Sequence, residues 1–319
     1  MQRLFNPLDN VHKFDPDKHI PSLTGKVIVV TGGNSGCGKE TVLQLAKHNP
    51  KRIYLAARSK AKYDDAMKAI TAAVPNSSNF VTFLELDLAS LESVKNASDI
   101  VLRECDRLDI LVNNAGIMAV PHGLTKDGFE IQFGTNHMGH ALLTRQLLPL
   151  LEKAAKEPSS DVRIINLSSI GHTMAPDQGI KFDEVKTSMT SQYPIRLYGS
   201  SKLANILYTR ELAHRYPDIL SVSVHPGRVE TNLGSSVHEQ GGFLHRVSQV
   251  SDFLIKPHSV QAGALNQIWA ATWKRSDIVN GAYYVPAGKE NDGSKLSRDV
   301  KLREKLWAWT EEQLVALGY

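Results

Sequence analysis

Short runs of apolar, often β-branched residues recur along the chain, and most of them are apolar at every position rather than at alternate ones. This pattern is typical of strands that are covered on both faces of a sheet. We expect such strands at 26–32, 52–58, 81–88, 108–116, 162–169, 220–227 and 281–286. Helical segments alternate with them at 38–48, 60–73, 91–107, 129–153, 198–216 and 260–273. The alternation predicts an α/β fold: a single doubly wound, roughly seven-stranded parallel sheet with helices on both faces.

The composition excludes several classes of function. The chain has 319 residues, of which 42% are hydrophobic and 22% charged, with a formal net charge of +4. No dense run of Lys and Arg with interleaved aromatic residues occurs, so we expect no binding to nucleic acid. Cys37 and Cys105 give neither a disulfide framework nor a metal-binding spacing, and we predict no metal. No apolar run is long enough for a membrane anchor, so we expect a soluble, cytoplasmic protein.

A glycine-rich turn, VTGGNSGCGKE, joins the first predicted strand to its helix. Gly32, Gly36 and Gly38 allow a tight turn whose backbone N–H groups can approach a pyrophosphate at the helix N-terminus. Asn34 and Ser35 lie within the same turn. The spacing differs from that of an ATP-binding P-loop and favours a dinucleotide site. A plain strand-to-helix turn is the alternative interpretation.

The ends of the next two predicted strands carry candidate cofactor contacts. In dinucleotide folds that prefer NAD, an acidic residue after the second strand usually accepts a hydrogen bond from the ribose 2′-hydroxyl. Arg58 stands there instead and suits a 2′-phosphate, so we expect NADP (NADPH); a surface arginine without a ligand is the alternative. Asp87, after the third strand, could bind the adenine amino group, although a turn or helix-capping role fits it as well.

The stretch RLYGSSKLANIL places Tyr198 and Lys202 one helical turn apart, so both side chains project from the same face. A free phenol has a pKa of about 10, and a nearby positive charge favours the phenolate. The pair therefore suits proton transfer, with Lys202 lowering the pKa of Tyr198. On its own, the pattern is explained more readily by an amphipathic helix with an exposed lysine and a half-buried tyrosine.

The motifs TGGNSGCG, NNAG, YGSSK and HPG follow one another at 31–38, 113–116, 198–202 and 225–227. In this combination the chain resembles the short-chain dehydrogenase/reductase family over roughly residues 22–290. The stretches NHMGHALLT, INLSSIGH and VHPGRVETNL are further similar to the branch of retinol dehydrogenases and protochlorophyllide reductases. The resemblance implies a doubly wound sheet, an NAD(P) cofactor and hydride transfer to or from a carbonyl or alcohol carbon.

The resemblance also implies a role for each matching residue. It assigns catalysis to Tyr198, Lys202 and Ser169, with Ser168 as the less favoured serine. Ser169 would donate a hydrogen bond to the carbonyl oxygen of the substrate, and Asn136 would hold a water that links Lys202 to solvent. Beyond the glycine turn, Arg58 and Asp87, the residues expected to contact the cofactor are Asn114, Ala115, Gly116, Tyr198, Lys202, Pro226, Val229 and Thr231.

We expect three segments along the chain. Residues 1–24 form an N-terminal extension, residues 25–290 a Rossmann-type dinucleotide-binding and catalytic domain, and residues 291–319 a C-terminal helical tail. Within the domain, residues 170–195 and 230–258 follow the carboxyl ends of predicted strands. Ligands of open α/β sheets bind at that edge, so we expect both segments to be substrate loops.

The function that these features predict is an NADP(H)-dependent oxidoreductase that acts on CH–OH donors. It would interconvert a ketone or aldehyde and an alcohol on a bulky hydrophobic small molecule, for example in secondary metabolism. The connection between Ser169 and Tyr198 is longer than in many family members and resembles that of the retinol-dehydrogenase-like branch, which favours a bulky substrate. Two alternatives remain: reduction of a conjugated double bond on the same fold, and a non-catalytic NADPH-binding sensor. A homo-oligomer is compatible with the sequence.

Overall fold

A computed structural model describes residues 14–229 and 258–319. Its strands are β1 Val27–Thr31, β2 Arg52–Ala57, β3 Val81–Glu85, β4 Ile110–Asn113, β5 Arg163–Leu167, β6 Leu220–Val224, β7 Tyr283–Val285 and β8 Lys289–Asn291. They form one eight-stranded sheet in the order β3-β2-β1-β4-β5-β6-β7-β8. The first seven are parallel and correspond to the seven predicted strands. The doubly wound fold is therefore confirmed.

Strand β8 is an addition to the predicted sheet. It pairs antiparallel to β7 at the sheet edge, with Tyr283 opposite Asn291 and Val285 opposite Lys289. All three of its residues are exposed. An edge strand that buries no side chain has no apolar pattern, which is why the sequence did not indicate it.

Helices follow the predicted segments with small changes at their ends. They are α1 Pro16–His19, α2 Gly36–Ala46, α3 Lys60–Ala73, α4 Leu91–Glu104, α5, α6 Pro194–Arg215, α7 Val260–Thr272 and α8 Val300–Ala316. Helix α5 consists of the α-helical pieces Ile131–Phe133 and Gly139–Ala155 on either side of one π-helical turn, Gly134–Met138. Short 3-10 turns span Ser77–Asn79, Ile170–Met174, Arg275–Asp277 and Leu296–Arg298.

The core lies on both faces of the sheet. In β1, Val27 and Val29 pack into one apolar cluster with residues of α4, α5, α6 and α8, whereas Ile28 and Val30 pack into a second cluster with residues of α2, α3 and α7. Because each face is covered, every position of β1 is buried, which is the physical origin of the uninterrupted apolar runs.

Both ends of the described chain join this core. Phe14 from the predicted extension belongs to the second cluster, and Leu306 of α8 belongs to the first. Trp307 of α8 also stacks on Tyr208 of α6, with ring centroids 5.0 Å apart.

The domain boundaries remain a prediction. No helix within residues 14–229 and 258–319 is long and apolar enough to cross a membrane.

Candidate active site

The predicted site residues gather at the carboxyl ends of the parallel strands. The sheet order reverses between β1 and β4, and the crevice at such a reversal is the usual ligand site of an open α/β sheet. The glycine-rich turn follows β1, the NNAG turn ends β4, Ser169 follows β5, and helix α6 carries Tyr198 and Lys202. Thr231 and nearly all of the predicted loop 230–258 lie outside the described residues.

The glycine-rich turn has the geometry of a phosphate cradle. Gly32 and Gly36 have positive φ angles of 63° and 50°, a region that favours glycine. A Cβ atom on Gly38 would lie 2.3 Å from the carbonyl oxygen of Gly32, so α2 can approach the turn only because residue 38 has no side chain. Ser35 is the N-cap of α2, but its side chain makes no capping hydrogen bond. The first N–H groups of α2 are therefore available to an anion.

A buried hydroxyl holds the NNAG turn. Thr31 Oγ1 accepts hydrogen bonds from the backbone N–H groups of Asn114 and Ala115, both at 2.9 Å. It lies 2.9 Å from His140 Nε2, and His140 Nδ1 lies 3.0 Å from the carbonyl oxygen of Asn136. Because a carbonyl only accepts, Nδ1 carries the proton and Thr31 donates to Nε2. Burial lowers the pKa of His140 to about 4, so this arrangement persists at neutral pH.

Asn136 lies in the π-helical turn of α5 and binds the backbone just beyond NNAG. Its Oδ1 accepts from the N–H of Ile117 at 2.8 Å, and its Nδ2 donates to the Ile117 carbonyl and to Ser201 Oγ, both at 2.9 Å. A Cβ atom on Gly116 would lie 3.2 Å from Asn136 Oδ1 and 3.4 Å from Lys202 Nζ. The structure thus brings Asn136, Gly116 and Lys202 together, while the predicted water at Asn136 stays a prediction.

Tyr198 and Lys202 are both buried, at 6% and 4% exposure. Lys202 Nζ lies 5.7 Å from the centroid of the Tyr198 ring and donates to the carbonyl of Leu167 at 2.9 Å. Burial raises the pKa of Tyr198 to about 12, although a hydrogen bond from Ser169 opposes this, and burial lowers the pKa of Lys202 to about 8. The pKa of Tyr198 is therefore raised overall rather than lowered towards neutrality as predicted, because desolvation outweighs the effects that favour the phenolate.

The two neighbouring serines have different partners. Ser169 is hydrogen-bonded to Tyr198 and its Oγ accepts from the N–H of Gly171 at 3.0 Å. Ser168 Oγ donates instead to the carbonyl of Lys202 at 2.8 Å and is buried. Ser169 therefore faces the phenol, whereas Ser168 attaches β5 to helix α6.

Two glycines let α6 lie directly on the 3-10 turn Ile170–Met174. A Cβ atom on Gly171 would lie 2.8 Å from Tyr198 Cε1, and one on Gly199 would lie 2.6 Å from the Ala175 nitrogen. Ser200 Oγ donates to the carbonyl of Gly179 at 2.9 Å. The small residues between Tyr198 and Lys202 are thus explained by close packing against backbone.

Arg58 and Asp87 lie at the outer part of the site. Arg58 directly follows β2, is exposed, and has no hydrogen bond or ion pair to another residue of the described chain. Asp87 Oδ1 accepts from the N–H of Ala89 at 3.0 Å, and Ser90 rather than Asp87 caps α4. Asp87 is therefore a turn former, and its contact with adenine remains a prediction.

The segment after β6 packs against the start of α7. Pro226 is the second residue after β6, and a Cβ atom on Gly263 of α7 would lie 2.2 Å from Val229 Cγ2 and 3.1 Å from Cys37 Sγ. Val229, Gly263 and the first turn of α2 therefore meet. Burial raises the pKa of the Cys37 thiol to about 11.

Sequence reasoning missed one buried residue of the site. Gln267 of α7 is fully buried, and its Nε2 donates to Thr41 Oγ1 at 2.6 Å and to Asn114 Oδ1 at 3.1 Å. It therefore connects α2, α7 and the NNAG turn. No local motif marks Gln267, because its partners are distant in sequence.

Comparison with known proteins places this site in a family. The short chain dehydrogenase family pattern matches residues 26–182. The short-chain dehydrogenase/reductase drtF of Aspergillus calidoustus is 37% identical, with 92% of this chain and 95% of that protein covered. Retinol dehydrogenase 13 of Homo sapiens is 36% identical, with 90% and 84% covered.

A solved structure of an NADPH-bound carbonyl reductase from chicken fatty liver is 25% identical, with a TM-score of 0.59 and 84% and 99% of the two chains covered. The predicted resemblance, including that to retinol dehydrogenases, is confirmed. The chain belongs to the short-chain dehydrogenase/reductase family.

Proposed function

We propose that this oxidoreductase uses NADPH to reduce a ketone or aldehyde on a bulky hydrophobic small molecule. Family membership supports the general oxidoreductase role. The cofactor, substrate class and direction are our proposal. The observation that carries the proposal is the pairing of two hydroxyl donors, Tyr198 and Ser169, at the carboxyl edge of β5.

The residues around the glycine-rich turn fit a dinucleotide. The positive φ angles of Gly32 and Gly36 and the free first turn of α2 suit a pyrophosphate. The exposed guanidinium of Arg58, free of ion pairs to described residues, suits a 2′-phosphate. The NADPH-bound carbonyl reductase supports the same choice. When bound, NADPH supplies the hydride that reduces the carbonyl carbon.

Tyr198 is prepared to give a proton rather than to take one. With its pKa raised to about 12, the phenol is protonated throughout the physiological range, which is the form that a proton donor for carbonyl reduction must have. Ser169 Oγ uses a lone pair to accept from the Gly171 N–H, so its own proton can be donated. Two hydroxyl donors directed at one substrate oxygen stabilise the negative charge that develops there as the hydride arrives.

Lys202 supplies positive charge close to the phenol. Its pKa of about 8 leaves most molecules cationic at neutral pH. After Tyr198 has donated its proton, this charge stabilises the phenolate that is left. Asn136 fixes the backbone at Ile117 next to Gly116 and so shapes the space that Lys202 Nζ faces.

Apolar side chains near the two donors support a hydrophobic substrate. Ile170 and Met174, in the turn after Ser169, are 53% and 43% exposed, and Tyr193, just before α6, is 72% exposed. Large apolar side chains exposed beside a polar catalytic group are typical of a binding site for an apolar ligand. They lie in the predicted substrate loop 170–195.

The test is oxidation of NADPH and NADH against a panel of bulky ketones, aldehydes, quinones and enones, followed by nicotinamide absorbance. Tyr198→Phe should lower kcat at least about 100-fold, whereas Tyr216→Phe, which alters a phenol at the opposite end of α6, should retain turnover. Alcohol products identified by NMR support carbonyl reduction, and saturated ketones from enones would support double-bond reduction instead. Tight NADPH binding without turnover of any panel member would contradict the proposal and favour a sensor.

The cytoplasmic location stays a prediction.

A further inference from the structure

His172 is a buried histidine that the proposed chemistry does not use. It lies in the 3-10 turn that begins after Ser169 and is 1% exposed. Its ring Nδ1 lies 2.7 Å from the carbonyl oxygen of Ser169, and its backbone N–H donates to the same oxygen at 3.0 Å. On the other side of the ring, Nε2 accepts from the backbone N–H of Ser294 at 3.0 Å. Both ring nitrogens therefore have defined partners.

These partners fix the tautomer of His172. The Ser169 carbonyl can only accept, so Nδ1 carries the proton, and the Ser294 N–H can only donate, so Nε2 carries the lone pair. A protonated ring would place two N–H groups against each other at Ser294. Burial, with a smaller contribution from the charge of Arg210, lowers the pKa of His172, which keeps the ring neutral at physiological pH.

The surroundings of the ring are tightly packed. Tyr283 of β7 meets it edge-on at 5.2 Å between centroids, and His225, after β6, lies near enough for its pKa to be lowered by His172. Gly293 has a φ angle of 71°, and a Cβ atom there would lie 3.4 Å from His172 Nε2. Arg210 of α6 is the charged group among these neighbours. The ring has little freedom to turn away from Ser169 and Ser294.

We propose that His172 is a positioning residue: through Nδ1–H it holds the Ser169 backbone, while the Ser294 N–H at Nε2 keeps the ring in the tautomer that can donate to Ser169. This inference rests on the proposed reductase, in which Ser169 must present its hydroxyl to the substrate oxygen. Ser294 therefore acts on the His172 tautomer and not on Ser169 directly, and a side-chain amide that donates at the place of Nδ1 does not need it. A misplacement of Ser169 of the order of 1 Å costs roughly 100-fold in rate.

Two matched variants separate positioning from simple stabilisation. His172→Asn keeps a donor at the place of Nδ1 and loses the acceptor for Ser294, whereas His172→Gln keeps an acceptor at the place of Nε2 and loses the donor for Ser169. Each loses one hydrogen bond, so we expect similar melting temperatures. His172→Asn should keep kcat within about threefold of wild type, and His172→Gln should lower it roughly 10- to 100-fold with an unchanged KM for NADPH. Equal kcat values for the two variants would overturn the inference.

An NMR measurement tests the same link without turnover. The 13Cζ resonance of Tyr198, assigned by its absence in Tyr198→Phe, senses the hydrogen bond with Ser169. It should match wild type in His172→Asn and shift in His172→Gln. Long-range 1H–15N spectra should show His172 as the Nδ1–H tautomer. An Nε2–H tautomer, or a Tyr198 resonance that is unchanged in both variants, would contradict the inference even if no substrate were turned over.

Discussion

Lys202 Nζ lies 5.7 Å from the centre of the Tyr198 ring, and its hydrogen bond goes to the carbonyl of Leu167 rather than to the phenol. Both groups are buried, and burial disfavours the charged form of each: it lowers the pKa of Lys202 to about 8 and raises that of Tyr198 to about 12. Burying the Lys202 ammonium group at this position lowers the stability of the folded protein. The presence of a lysine at this buried position therefore points to a role in the reaction rather than in stability.

Lys202→Met should abolish turnover and yet leave the protein at least as stable as wild type at pH 7. The shift of the Lys202 pKa from 10.5 to about 8 corresponds to a folding cost of about 3 kcal/mol, and Asn205 Nδ2 still donates to the Leu167 carbonyl at 3.0 Å. Because the folded pKa is below the unfolded one, this cost is present below pH 8 and disappears between pH 8 and 10.5. In urea unfolding, the free-energy advantage of Lys202→Met over wild type should narrow between pH 8 and 10.5. A difference in unfolding free energy that does not change with pH would contradict the lowered pKa of Lys202.

Arg58→Ala should weaken NADPH binding and leave NADH binding nearly unchanged. A charge-assisted hydrogen bond to a phosphate contributes roughly 1.5–3 kcal/mol, so we expect the Kd of NADPH to rise about 10- to 150-fold. Nicotinamide fluorescence titrations with both cofactors measure this. Lys68→Ala is the matched control, because Lys68 is another exposed cation, on α3, paired with Asp65. Equal losses of NADPH and NADH affinity in Arg58→Ala would show that Arg58 does not select the 2′-phosphate.

Gly199→Ala should destabilise the protein and reduce kcat. The new methyl group would lie 2.6 Å from the Ala175 nitrogen and 2.8 Å from the Met174 carbonyl carbon, so α6 and the turn that follows Ser169 must separate. Overpacking of this kind costs roughly 1–3 kcal/mol. Gly123→Ala, where the nearest atom is 4.0 Å away, should be tolerated. Thermal unfolding and kcat measurements on Gly199→Ala and Gly123→Ala test this. Equal melting temperatures and equal kcat values would mean that the close contact of Gly199 with the turn is unimportant.

Thr31→Val should be far more disruptive than Thr31→Ser. Valine has nearly the shape of threonine, but it leaves the N–H group of Ala115 and the Nε2 atom of His140 without their partner, whereas the N–H group of Asn114 keeps the carbonyl of Val112 at 3.0 Å. Unpaired buried groups cost about 1–3 kcal/mol each, so we expect a loss of at least about 2 kcal/mol in unfolding free energy. Serine keeps the hydroxyl and loses only a methyl group, at about 0.8 kcal/mol. Chemical denaturation of both variants tests this, and similar losses would contradict the bonding scheme.

The sequence was sufficient for the strands, because strands buried on both faces must be apolar at every position, as Val27 to Val30 are. It also pointed to polar groups that short motifs mark, such as Ser169 after β5 and Tyr198 on α6. It could not predict strand β8, whose residues are all exposed. The contact between His172 and Ser294 and the one between Gln267 and Asn114 join positions 122 and 153 residues apart, and no local pattern carries that information. The upward pKa shift of Tyr198 likewise depends on burial that only the folded chain creates.

The thiol of Cys37 lies in the glycine-rich turn, packed towards Gly263 of α7, and its pKa is raised to about 11. Alkylation by electrophiles requires the thiolate, and at physiological pH almost none is present. Quinones and enones belong to the carbonyl compounds that a reductase of this kind would meet, and thiolates add readily to their conjugated carbon–carbon bonds. We therefore expect the burial of Cys37 to keep the glycine-rich turn from being alkylated by such compounds.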